Sequence, residues 1–193
     1  MSKEIVFDIE TQNTFDDIGG YKPNLLKISL IGVYFYETDQ YEAFMWDELH
    51  KLWPLLEHTD RLIGFNSKHF DIPVMNNYYA GDLSVLPHLD IMEEVVKSLG
   101  HRIKLDAIAS STLGYGKSGT GLQAVQYWRE GKIEELKDYC LQDVKVTKEV
   151  YEYGLRHGAL AYDDFSGERK GIKVDFSKKE AEAGASINLT MPF

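Results

Sequence analysis

The feature that most constrains this chain is a pair of carboxylates in an apolar strand near its start. The stretch Glu4–Thr11 reads EIVFDIET, in which Asp8 and Glu10 are two residues apart. Side chains alternate between the two faces of a strand, so both carboxylates point to the same face. Their repulsion in a half-buried place would raise a pKa or destabilise the fold unless a divalent cation neutralises both. The pair therefore indicates either a hard-metal site or an exposed strand face that tolerates Asp-x-Glu.

A second acidic position follows another strand. Apolar residues at positions 62–65 predict a strand, and Pro73 suits the first turn of the helix that comes next. Asp71 would then lie at the strand-to-helix junction, with its carboxylate near a helix N-terminus. This placement directs Asp71 into a site at the end of the strand.

A long amphipathic helix supplies a third acidic position. Residues 132–153 place apolar side chains three and four positions apart. These apolar residues are Ile133, Leu136, Cys140, Val144 and Tyr151. Tyr139 and Asp143 are one turn apart beside this stripe, so they can reach the same point. The only cysteine, Cys140, excludes an internal disulfide and is expected to be a small buried apolar residue.

Three motifs, taken in order, resemble those of a known family. They are Phe7–Thr11, Asn66 with Phe70-Asp71-x-Pro73, and Tyr139–Asp143. Together they resemble the exonuclease motifs of the DEDD superfamily of 3′–5′ exonucleases, in the DEDDy variant with tyrosine four residues before the last aspartate. The likeness is greatest to the proofreading domains of family B DNA polymerases and to their stand-alone relatives.

The spacer between the second and third motifs extends the resemblance over residues 4–154. His88–Ile91, Leu105–Gly114 and Lys117 also resemble the polymerase-linked domains. The resemblance implies an α/β protein with an RNase H-like fold, in which helices flank a central mixed five-stranded sheet. One exonuclease domain would comprise residues 1–176, and residues 177–193 would form a C-terminal tail that either docks on the domain or binds a partner.

Hydrophobic periodicity predicts where the helices and strands lie. Strands are expected at 5–9, 27–37, 41–46 and 62–65, and helices at 47–58, 72–79, 92–99, 105–112, 122–129 and 132–153. A short apolar segment lies at 86–91, and the segment 167–176 is expected to add one more edge strand. The order of three strands, helix, strand and helix is typical of the RNase H-like fold, with the first strand at the centre of the sheet.

The resemblance also implies a metal site and a role for each carboxylate. Two Mg²⁺ or Mn²⁺ ions would be bound by oxygen ligands. Asp8 would bridge both ions, while Glu10 and Asp143 would hold the ion that carries the attacking water. Asp71 would reach the other ion mainly through water. Asp90, a further acidic residue within the resemblance, is expected to end a strand rather than to support the metals.

Further residues would handle the water and the substrate. Tyr139 would orient or help deprotonate the attacking water. Residue 138 is aspartate, so the histidine variant of the superfamily does not fit. Thr11, Asn66 and Phe70 are the expected contacts to the terminal nucleotides, with Phe70 stacking on a base or sugar. A core position for Phe70 is an open alternative.

Composition and charge bound these expectations. The 193 residues are 44% hydrophobic, enough for one well-buried core, and carry a net charge of −10. Such a charge argues against binding nucleic acid through a broad basic surface, so the local field after metal loading decides. The longest apolar run, near residues 28–36, is too short to cross a bilayer, and the N-terminus lacks a signal segment. A cytoplasmic protein without a membrane partner is expected.

These features predict a metal-dependent 3′–5′ exonuclease that acts on single-stranded nucleic acid or frayed 3′ ends, DNA more than RNA. Two alternatives are a ribonuclease that trims RNA 3′ ends with the same site, and a non-catalytic module that binds nucleic acid or a protein. The resemblance points to DNA repair or proofreading as the pathway. A replication or repair protein would then bind the tail, although the tail lacks the glutamine that begins the usual clamp-binding peptide.

Overall fold

Seven strands and six α-helices make up the described fold. The computed structural model describes residues 3–116 and 121–177. The strands are β1 (Glu4–Thr11), β2 (Ile28–Phe35), β3 (Gln40–Met45), β4 (Arg61–Gly64), β5 (His88–Asp90), β6 (Ala159–Asp163) and β7 (Arg169–Lys173). The helices are α1 (Leu49–Glu57), α2 (Asp71–Met75), α3 (Ile91–Leu99), α4 (Leu105–Leu113), α5 (Gly121–Arg129) and α6 (Ile133–His157). Lys117 and the tail beyond Ser177 lie outside the described residues.

The main sheet has five strands in the order β3-β2-β1-β4-β5. Strands β1, β2 and β3 pair antiparallel, whereas β4 and β5 continue the sheet parallel to β1. The predicted mixed five-stranded sheet with the first strand at its centre is therefore confirmed. Because β1, β4 and β5 run in the same direction, their carboxyl ends meet at one edge of the sheet. This edge carries the acidic residues of the first two motifs.

The two faces of β1 pack into different cores, as the alternation of its side chains predicts. Ile5, Phe7 and Ile9 join a core that includes residues of α1 and α2. Val6 faces the other way, into a core built with α3, α4 and α6. Asp8 and Glu10 share the parity of Val6, so they lie on the side of the sheet that α6 covers.

Helix α6 lies close against β2 because residue 32 is glycine. A β-carbon at this position would lie 2.8 Å from Cys140 Sγ and 3.1 Å from Val144 Cγ2. Gly32 also pairs with Asp8 across the β1–β2 ladder. Four of the five predicted stripe residues of α6 are buried, and Ile133 is half-buried. The close approach brings the third motif onto the end of β1.

Two predictions about the elements were wrong. Helix α2 ends at Met75, earlier than expected, where Asn76 starts a turn by accepting a bond from the Leu83 N–H and donating one to Asp82. The segment 167–176 does not extend the main sheet. Its strand β7 pairs antiparallel with β6 in a separate two-stranded sheet that packs on α4.

The residues after β7 return to the beginning of β1. Phe176 is buried over Gly154, where any β-carbon would clash with its ring. Its carbonyl accepts a hydrogen bond from Arg61, which also forms a buried ion pair with Glu4 at 2.7 Å. A domain end at residue 176 stays a prediction. No helix within residues 3–116 and 121–177 combines the length and the apolar character needed to span a membrane.

Candidate active site

The carboxyl end of β1 carries two of the predicted metal ligands. Glu10 is 7% exposed and Asp8 is half-buried. One carboxylate oxygen from each and the Cys140 sulfur all lie within 4.8 Å of one another. Oxygen ligands at this spacing suit a divalent cation. The structure therefore brings the two carboxylates together as the sequence predicts.

Helix α6 places a third carboxylate at the same point. Asp143 is 4% exposed, and its charge acts on the Cys140 thiol together with the charges of Asp8 and Glu10. Burial, followed by these three negative charges, raises the pKa of the thiol well above its usual range. Cys140 Sγ lies 3.6 Å from the Asp8 carbonyl oxygen and 4.0 Å from its carboxylate. The thiol is a neutral wedge between α6 and the carboxylates.

An open cavity of about 520 Å³ lies over these carboxylates. Its lining residues are Asp8, Ile9, Glu10, Thr11, Asn13, Thr14, Phe15, Asp16, Leu26, Phe70, Gly121, Leu122, Val125 and Asp143. Four of these side chains are carboxylates, and none of the described lining residues is lysine or arginine. An anionic substrate would be repelled by such a surface until cations bind there. The donor set fits hard divalent ions.

The second motif contributes to the cavity through Phe70 rather than through Asp71. Phe70 is half-buried, lines the cavity and packs edge-on to Phe15 at 5.9 Å. Asp71 is 3% exposed and is not among the described lining residues. Burial raises the pKa of Asp71 to about 8, whereas hydrogen bonds from backbone N–H groups, including that of Ile9, lower it. Its carboxyl group therefore lies behind the end of β1, next to the metal ligands.

The turn between β4 and α2 has a special backbone. Gly64 ends β4 where a β-carbon would lie 2.4 Å from the Ser67 hydroxyl, and Asn66 adopts a left-handed conformation with φ of 62°. The Ser67 hydroxyl pairs with His88 Nε2 at 2.9 Å. Burial lowers the pKa of His88 to about 4, so the ring is neutral near pH 7.

Asp90 holds this turn in place. Its carboxylate caps α3 by accepting the Met92 N–H at 2.9 Å, which agrees with the predicted end of a strand. The same carboxylate also accepts the N–H groups of Asn66 and Lys68 at 2.8 and 3.0 Å. Asp90 thus fixes the backbone that leads to Phe70, a role that its position in the sequence did not reveal.

The remaining predicted site residues lie at different places around the cavity. Thr11 lines it and donates its hydroxyl to the Asn13 carbonyl. The Asn66 side chain accepts a hydrogen bond from Arg102 and is not among the described lining residues. Tyr139 is 7% exposed and packs with Leu30 one turn before Asp143. The roles assigned to these residues stay predictions.

Comparisons with known proteins now have a fold and a site to refer to. A family model of the RNase H superfamily matches residues 5–154. The chain belongs to the RNase H superfamily. Among solved structures it is similar to the crystal structure of Trypanosoma brucei RNase D, with a TM-score of 0.57 and 16% sequence identity. The alignment covers 79% of this chain but only 57% of that one, and at this identity the likeness shows the fold alone. No curated protein matches.

Sequence reasoning missed the apolar wall of this RNase H-like site. Phe15 and Leu26 come from the loop after β1, and Leu122 and Val125 come from the first turns of α5. The loop follows the first motif directly, so its single phenylalanine was a usable signal. Nothing in the periodicity of α5 indicated that it faces the carboxylates.

Proposed function

We propose that this protein is a divalent-metal-dependent 3′–5′ exonuclease of the DEDDy type that degrades single-stranded DNA. The observation that carries the proposal is the cavity itself, with Asp8, Glu10 and Asp143 at its floor and an aromatic ring beside them. Carboxylates select cations, cations attract a phosphodiester, and the ring suits a base or sugar. Membership of the RNase H superfamily and the order of the three motifs support the same activity.

Each residue of the floor would have a separate task. Divalent ions bound there would activate the attacking water and stabilise charge on the leaving 3′ oxygen. Asp8, Glu10 and Asp143 would hold those ions through their oxygens. Asp71, behind them, would add negative charge and fix Phe70 against the end of β1. The Tyr139 hydroxyl would orient the water, one helical turn from Asp143.

The substrate and its setting are part of the proposal. DNA is favoured over RNA on the resemblance of the motifs to polymerase proofreading domains, and repair or proofreading in the cytoplasm would be the setting. A protein partner would bind residues 177–193. Trimming of RNA 3′ ends is the alternative outcome of the experiment.

The test uses 5′-labelled single-stranded DNA and RNA of the same sequence, with Mg²⁺, Mn²⁺ or EDTA. A descending ladder on DNA, abolished by EDTA and by Asp143→Ala, is expected. Asp138→Ala is the matched control, since Asp138 is an exposed aspartate on the same helix. Faster degradation of RNA would favour the ribonuclease, and no metal-dependent turnover on either substrate would reject the exonuclease.

A further inference from the structure

The loop between β1 and β2, residues 12–26, forms a closed strap beside the cavity. Its two ends meet where the Gln12 N–H donates to the Lys27 carbonyl at 2.7 Å and the Lys27 N–H donates to Asn13 Oδ1 at 2.8 Å. Leu26 at its end is 3% exposed and belongs to the core. A loop closed in this way is a defined structural unit rather than an open excursion of the chain.

One side of the strap is bound to α2 and the residues before it. The Tyr21 hydroxyl donates to the His69 carbonyl at 2.9 Å. Farther along, Asn77 donates its side-chain amide to the Asn24 carbonyl at 2.9 Å. The strap is thereby held next to Phe70, which lines the cavity.

The other side of the strap is bound to α5, across the cavity. Arg129 forms an ion pair with Asp17 at 2.6 Å. The same carboxylate accepts hydrogen bonds from the N–H and the hydroxyl of Thr14, and together these partners lower the pKa of Asp17. Arg129 is one turn beyond Val125, a lining residue. The ion pair therefore links the two walls of the cavity.

This double attachment fixes the position of Phe15. Its ring lies 4.6 Å from the ring of Tyr21 and 5.9 Å from that of Phe70, and it lines the cavity together with Leu122 on the facing wall. Leu122 is 68% exposed, so apolar surface on this wall faces the solvent. A planar apolar group that entered between these walls would cover this surface.

We infer that the strap reads the end of the strand: Phe15 is the surface on which the unpaired 3′-terminal base packs, and the Asp17–Arg129 pair is the positioning contact that holds Phe15 there. The inference rests on the proposed function and names a determinant of its substrate. A base that packs on Phe15 has left the stack of a duplex, so unpaired ends are selected. Stacking of this kind tolerates any base sequence, because every base has an aromatic face.

Binding without turnover tests the inference directly. The probe is a single-stranded DNA with 2-aminopurine as its 3′-terminal base and a phosphorothioate as its last linkage, titrated with the full-length protein in the presence of Mg²⁺. Packing on Phe15 is expected to quench the fluorescence of the probe. Phe15→Ala is expected to abolish the quenching and to raise Kd on the order of ten-fold, the effect of losing one base–aromatic stack. Phe15→Trp is expected to retain both.

Kinetics on an unmodified strand separate positioning from chemistry. Phe15→Ala is expected to raise KM and to leave kcat within about three-fold, because uniform binding rather than transition-state stabilisation is lost. Arg129→Met is expected to raise KM by a smaller factor, and Arg129→Lys to restore it, since the pair is exposed and worth little beyond holding the strap. Phe165→Ala and Arg156→Met are matched controls at exposed positions.

The outcomes are distinguishable from a failure of the exonuclease proposal. Quenching by a wild-type protein that cannot hydrolyse DNA would reject the exonuclease and keep the strap as a binding element. Normal quenching and KM in Phe15→Ala, with an active wild type, would overturn the inference. If Phe15→Ala melts at a lower temperature, Phe15→Leu decides, since it keeps apolar packing against Phe70 but loses the ring. Wild-type quenching in Phe15→Leu would also overturn it.

Discussion

At the scale of the residue, the molecule concentrates negative charge where most proteins avoid it. Asp8, Glu10 and Asp143 lie around one buried thiol, and two of the three carboxylates are less than a tenth exposed. Like charges in such a place destabilise the native state unless cations bind. Single substitutions should therefore separate the cost of this charge from its use.

We expect Asp8→Ala to lose metal-dependent stabilisation while keeping the fold. Removing a carboxylate that faces Glu10 relieves repulsion, so the melting temperature in EDTA should stay the same or rise. The increase in melting temperature that Mn²⁺ gives the wild type should disappear, together with nuclease activity. Calorimetric melting with and without Mn²⁺ measures both effects. The exposed Asp138→Ala should behave as the wild type, and an undiminished response to Mn²⁺ in Asp8→Ala would contradict the metal site.

We expect Tyr139→Phe to lose on the order of 10²-fold in rate, the effect of removing a positioned proton-transfer group. The ring packs with Leu30 and Leu136, and phenylalanine preserves these contacts. Melting temperature and the response to Mn²⁺ should not change, whereas Asp143→Ala should lose more activity and the response to Mn²⁺. Rates measured between about pH 6 and 9 test the assignment. A Phe variant as fast as the wild type throughout would leave Tyr139 a packing residue.

His88 should make stability depend on pH. Its pKa is lowered to about 4, chiefly by burial, from about 6.5 in the unfolded chain. As pH falls from about 6.5 to about 4, the unfolded chain binds a proton that the folded protein does not, so the free energy of unfolding decreases. His88→Gln lacks this loss, and the two proteins should converge on the order of 3 kcal/mol over that range. Urea unfolding at several pH values measures it; parallel curves would contradict the assignment.

At the scale of the element, close approaches of backbone decide where the motifs meet. Gly32 lets α6 approach β2, and Gly64 lets the chain turn tightly into the second motif. Asp90 then fixes that turn through three backbone N–H groups. The site is assembled by contacts between elements that are far apart in the sequence.

We expect Gly32→Ala to be destabilising by about 1–3 kcal/mol, the usual cost of overpacking. The added methyl group would lie 2.8 Å from Cys140 Sγ, which is itself fixed inside the core. Cys140→Ala removes that sulfur, so the double variant should be more stable than the sum of the single effects indicates. A denaturant-unfolding cycle of the four proteins measures the coupling. Strict additivity would mean that Val144, not Cys140, receives the strain.

At the scale of the whole molecule, the chain ends are joined beneath the sheet, at the opposite end of β1 from the carboxylates. Arg61 pairs with Glu4 from the beginning of β1 and donates to the Phe176 carbonyl. Phe176 in turn packs on Tyr151 of α6, 5.9 Å between ring centres. One cluster thus connects the first strand, the longest helix and the last described segment.

We expect Phe176→Ala to lower the free energy of unfolding by about 3–5 kcal/mol, the range for large-to-small changes of buried aromatic residues. The notch over Gly154 would be left empty, because no other side chain occupies the space of the ring. Phe165→Ala, at a fully exposed phenylalanine, is the matched control and should change stability little. Equal melting temperatures for both variants would mean that the C-terminal segment does not contribute to the core.

The sequence alone determined the RNase H-like sheet, the alternation along β1 and the apolar stripe of α6, since these follow from local periodicity and from motif order. It also predicted the carboxylates that meet, because parallel strands end at one edge. Only the tertiary structure decided that β7 leaves the main sheet, that Asp90 fixes the second motif and that Cys140 lies among the carboxylates. It also placed Phe15 in the cavity wall. These are contacts between distant segments, and local patterns carry no information about which distant surfaces meet.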